Sequence, residues 1–90
     1  MQRFTLGTIV ATPGGLRALE DSGQNPAAFL DRHSSGDWGE VDRADAAENE
    51  LSLAEGFRIM SVYTTRKGIK LWIVTEADRS ATTILLPEEY

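Results

Sequence analysis

Ninety residues with 41% hydrophobic and 26% charged side chains suffice for one hydrophobic core and are too few for two. Fourteen acids against nine bases leave a formal charge of −5; no cluster of Lys and Arg offsets it, which disfavours nucleic acid, since phosphate binding draws on a concentrated positive patch. With no cysteine and one histidine, disulfides, thiolate nucleophiles and a zinc site of ordinary composition are excluded.

The chain opens with "RFTLGTIVAT", where Phe4, Leu6, Thr8 and Val10 alternate with Thr5, Gly7, Ile9 and Ala11; a period of two and β-branched side chains predict a strand. In "TPGGLRALEDSG", Thr12 caps a short helix, Pro13 takes its first position and Gly23 stops it. Strand, paired glycines and helix start also suit an anion, although neither phosphate-loop spacing is present. "NPAAFLDRHSSG" repeats the pattern, with Asn25 as cap, Pro26 in the first turn, Phe29 and Leu30 on one face, His33 in the last turn and Gly36 beyond it. "DRADAAENELSLAEG" is the strongest helix: Asp42 caps, Ala47, Leu51 and Ala54 form the expected buried stripe, Glu48, Ser52 and Glu55 lie opposite, and Gly56 ends it. Glu55 is ill placed for the helix dipole.

From Phe57 the period becomes two. Three strands follow, separated by "TRKG", with Gly68 set for a positive φ, and by "EADRSA", with Asp78 and Ser80 as turn residues. The predicted fold is a single α+β domain: an N-terminal strand, two or three short helices, then a three-stranded antiparallel meander, with the helices on one face of the sheet. The first strand pairs at either edge of the meander. No apolar run reaches the ~20 residues of a membrane span, and Gly7 and Pro13-Gly14-Gly15 break any signal-peptide core; a cytoplasmic protein without a cofactor is expected.

Three places carry side chains suited to chemistry or recognition. His33 and Asp37 flank the helix stop before Trp38, either as an acid–base pair in a shallow cleft or as cap, Asx turn and core plug. Glu76, Asp78 and Arg79 gather at a strand end, either around a cation or water or as a solvated turn with an Asp78–Arg79 charge pair. Trp72 falls on the side of the central strand away from Ile69, Leu71 and Ile73, joining Met60, Val62 and Thr83 or Leu85 on an apolar outer face suited to a partner protein or to self-association.

"FTLGTIVATPG", "RHSSGDWGEVD", "NELSLAEGFRIMSVY" and "LWIVTEADRSATTILLPEEY" together resemble a family of small bacterial proteins encoded on plasmids and other mobile elements, some labelled plasmid-related proteins or type I restriction subunits. A restriction methyltransferase needs a cofactor domain far larger than this chain, so the resemblance implies a setting in mobile-element or defence biology and no catalytic residues. The expected function is a non-enzymatic accessory or regulatory protein acting by protein–protein interaction. The alternative is a small hydrolase or nuclease using His33 with Asp37 or Glu76.

Overall fold

Three side chains start three helices. In the computed structural model, which describes residues 1–90, Thr12 accepts from the Gly15 N–H ahead of α1 (Pro13–Ser22). Asn25 accepts from Ala27 ahead of α2 (Pro26–Ser34), and Asp42 from Asp45 ahead of α3 (Arg43–Glu55). Gly23 and Gly56 end α1 and α3 in left-handed conformations, as their positions in the sequence require.

The strands are β1 (Thr8–Ala11), β2 (Ile59–Thr64), β3 (Lys70–Thr75) and β4 (Ala81–Leu85), in the order β1-β4-β3-β2. The class is α+β. β2, β3 and β4 form the antiparallel meander; β1 lies parallel to β4, from Thr8 beside Ala81 to Ala11 beside Ile84, so the four-stranded sheet is mixed. The chain has three helices, and Leu71, Ile73, Ile84 and Tyr63 pack with Ala18, Leu19 and Phe29 as its core. α1 reaches β4 closely because Gly15 has no side chain: a Cβ there would stand 2.6 Å from the Ile84 carbonyl oxygen.

Two expectations are corrected. α3 does not lie on the face of the sheet; it runs along the free edge of β2. The Asn49 amide donates to the Met60 carbonyl at 2.8 Å and its oxygen accepts from the Met60 N–H at 3.1 Å, so one side chain stands in for a neighbouring strand. Two residues further along, the Val62 N–H donates to Trp38 O and Glu40 N–H to Val62 O. Gly39 permits that approach, with φ of 73° and a position where any Cβ would collide with Val62 O at 2.0 Å.

The second correction follows from the first. A helix beside a strand edge must offer hydrogen-bonding groups to the backbone, so α3 buries Asn49 and Ser52. Ala47, Leu51 and Ala54, expected in the core, face solvent.

On the outer face of the sheet, Val74 and Leu85 are buried and Met60, Val62, Trp72 and Thr83 half-buried. A 3₁₀ turn (Pro87–Glu89) carries Tyr90 across this face, where its ring meets Trp72 edge-on at 5.3 Å and its hydroxyl meets Arg58. The outer face is therefore partly covered by the chain itself.

Candidate functional site

His33 is fully buried, because the last turn of α2 points it at the sheet. Its Nδ1 lies 2.6 Å from Ser61 Oγ and its Nε2 2.9 Å from Thr75 Oγ1. Thr75 Oγ1 is 2.7 Å from Thr82 Oγ1, which donates to the Leu6 carbonyl at 2.7 Å. A carbonyl only accepts, and that fixes every proton in the chain. Thr82 gives its proton to Leu6, so Thr75 donates to Thr82 and accepts from Nε2–H, leaving Nδ1 to accept from Ser61. The ring is held as the neutral Nε2–H tautomer, with Phe4 and Trp38 edge-on to it at 5.2 and 6.1 Å. Burial lowers its pKa from 6.5 to about 4, since no carboxylate is hydrogen-bonded to the ring to favour the cation.

The two carboxylates proposed for His33 are engaged elsewhere. Asp37 accepts from Arg32 Nε at 2.7 Å and from the Gly39 N–H at 3.2 Å; Arg32 holds its carboxyl below the usual range. Trp38 is buried and its indole N–H donates to Glu50 at 3.1 Å. The Arg32 guanidinium also lies 4.5 Å from the centre of the Tyr63 ring. Burial lifts the Tyr63 phenol to about 12, and its hydroxyl donates to Asp37 O at 2.6 Å.

Glu76 pairs with Arg58 at 3.1 Å, beside a depression of about 190 Å³ on the outer face lined by Val74, Thr83, Leu85 and Tyr90. Asp78 accepts from the Ser80 N–H at 3.0 Å. Arg79 makes no pair with Asp78: its guanidinium donates to Phe57 O (2.7 Å), Glu76 O (3.1 Å), Ala77 O (3.0 Å) and Ser52 O (2.9 Å). Ser52 O is a C-terminal carbonyl of α3, so Arg79 supplies the cation that the last turn of that helix lacks. Thr75, at the start of the 75–80 turn, thus joins His33, whereas Asp37 and the side chains of Glu76, Asp78 and Arg79 belong to other hydrogen-bonded groups. No set of three or more His, Asp or Glu side chains is arranged to hold a metal ion.

The anion-suited start of α1 is filled by the chain itself. Glu89 accepts from the Gly14 N–H at 3.0 Å, from Leu86 N–H at 2.8 Å and from the Thr12 hydroxyl. These donors, Thr12 first, hold its carboxyl below the usual range.

The feature that sequence reasoning missed is the outward side of α3. At 3.6 residues per turn, Ala44, Ala47, Leu51 and Ala54 share a sector of about 80°, and all four are exposed, Leu51 at 49%. Glu48 and Glu55 border the sector on one side, with Arg43 and Glu50 on the other; Glu50 is bound by Arg3 at 2.9 Å. Phe57, just past the helix stop, is 53% exposed. The helix buries polar Asn49 and Ser52, with Leu53 and Ala46 half-buried beside them, and leaves Ala44, Ala47, Leu51 and Ala54 outward, where a surface helix serving only its own core would carry polar side chains. The sequence did hold one signal, polar Asn49 and Ser52 three apart, the spacing that sets two side chains on one face. Ser61, Thr75 and Thr82 were missed too; they occupy inward positions on three adjacent strands. The chain matches no family model, no curated protein and no solved structure.

Proposed function

We propose that the protein works without catalysis, as an accessory that binds another protein through the outward face of α3. The observation that carries this reading is the exposed Ala44–Ala47–Leu51–Ala54 sector bordered by Glu48 and Glu55. Small side chains let a second helix approach closely, and Leu51 offers one apolar anchor in their midst. The acidic border and the net charge of −5 favour a basic amphipathic helix as the occupant. An antiparallel pairing of α3 with its own copy would set Glu48 and Glu55 against the same residues, which charge repulsion opposes. The mobile-element setting implied by the sequence resemblance makes a host or defence component the class of partner to test first.

The polar groups suited to chemistry support the same reading: both His33 nitrogens are taken by hydroxyls, and Arg79 is spent on carbonyls. Leu51→Lys should abolish retention of a specific partner from a bacterial lysate, with an unchanged circular dichroism spectrum. Ile69→Lys, an equally drastic change at another exposed apolar side chain (43% exposed), should retain it. Equal retention by both variants, or no retained protein with the unaltered chain, would count against α3 as the binding face.

A further inference from the structure

The two edges of the sheet are treated differently by the chain. Along β2 the outward backbone groups of Met60 and Val62 are satisfied by Asn49 and by the 38–40 segment. Along β1 nothing corresponds. The Thr8 and Thr12 N–H groups donate to Ser80 O and Ile84 O, so by the alternation of a parallel ladder Thr8, Val10 and Thr12 face β4, and Ile9 and Ala11 turn their N–H and C=O outward. Of the usual guards against edge pairing, "TIVA" has only its short length: it has no charge, no proline and no bulge. Ile9 is 45% and Val10 44% exposed, one on each face of the sheet.

Both ends of β1 also leave the sheet on the helix side. Before the strand, Leu6 O is held by inward-facing Thr82; after it, Thr12 starts α1. Only the strand itself stands at the edge.

We propose that β1 pairs antiparallel with β1 of a second copy of this chain, Val10 against the partner's Val10 and Ile9 against the partner's Ala11. The outward-facing residues number two, stand two apart and are symmetric about Val10, so a twofold axis at Val10 lets Ile9 and Ala11 exchange all four of their N–H and C=O groups with the partner's. The segment is uncharged, so no like charges meet across the axis. Two four-stranded sheets become one continuous sheet, and the paired valines extend the outer apolar face across the junction. β1 has only four residues, so the dimer is weak, with dissociation in the micromolar range or above. This surface is distinct from α3, and its success or failure is independent of the reading given above.

Sedimentation equilibrium of the purified chain, from about 10 μM to about 1 mM, should show the mass rising from monomer to dimer. Val10→Lys should raise the dissociation constant at least tenfold, and Leu51→Lys should leave it unchanged. Amide exchange at Ile9 and Ala11 should slow with concentration in the unaltered chain and not in Val10→Lys. A monomer throughout the range, a dimer in which these two amides stay unprotected, or a dimer dissolved by Leu51→Lys would each overturn the proposal.

Discussion

Between pH 7 and pH 4 the protein is expected to lose about 3 kcal/mol of folding stability through His33 alone. The folded chain holds the imidazole neutral down to about 4, whereas the unfolded chain protonates it at 6.5. Between those values the unfolded state binds more protons, so stability falls as pH falls. The contribution is complete above about 6.5, and its loss is complete below about 4. Such a loss is a large share of the 5–15 kcal/mol typical of a domain. Protonating Nδ1 also requires Ser61 to reverse its hydroxyl, since that nitrogen becomes a donor.

The check is urea unfolding at steps across this range for the native chain and for His33→Gln, whose amide can donate to Thr75 and accept from Ser61 without titrating. The native curve should steepen below pH 6.5 and the variant stay flat until the carboxylates titrate. Asp37, Glu40, Glu50 and Glu89, each held low by a hydrogen-bonding partner, add their own losses at lower pH in both proteins. Parallel profiles would refute the buried neutral imidazole.

Arg79→Met should cost about 3 kcal/mol, because it leaves four carbonyls without a charged donor and removes the cation from the C-terminus of α3. At this chain length that is a drop in Tm of roughly 15 °C. Arg79→Lys should recover less than half of it, since an ammonium cannot span the four carbonyls as a planar fork does. Calorimetry on the three proteins decides the matter. A Met variant within about 0.5 kcal/mol of the native chain would show that solvent replaces the guanidinium at little cost.

What the sequence made legible was local. Thr12, Asn25 and Asp42 as caps, Gly23 and Gly56 as stops and the β2-β3-β4 meander all depend on residues a few positions apart, where side-chain chemistry and period act directly. Distance hid the rest. His33 finds its partners 28 and 42 residues away, and β1 pairs with a strand more than 70 residues further on. The error in α3 has a more specific cause. Periodicity identifies an apolar stripe without revealing whether it faces the chain's own core or solvent, and Asn49 turns it to solvent here by binding the β2 backbone. A stripe that agrees with the local pattern and disagrees with the fold is where an external partner is expected.

Site-specific photo-cross-linking in bacterial cells tests that assignment most directly. A photoreactive phenylalanine analogue placed at Leu51 should yield one discrete adduct, identified as a protein with a basic amphipathic helix, while the same probe at exposed Glu20 on α1 yields none. The same diffuse background from both positions, or an adduct made only of the chain with itself, would contradict it.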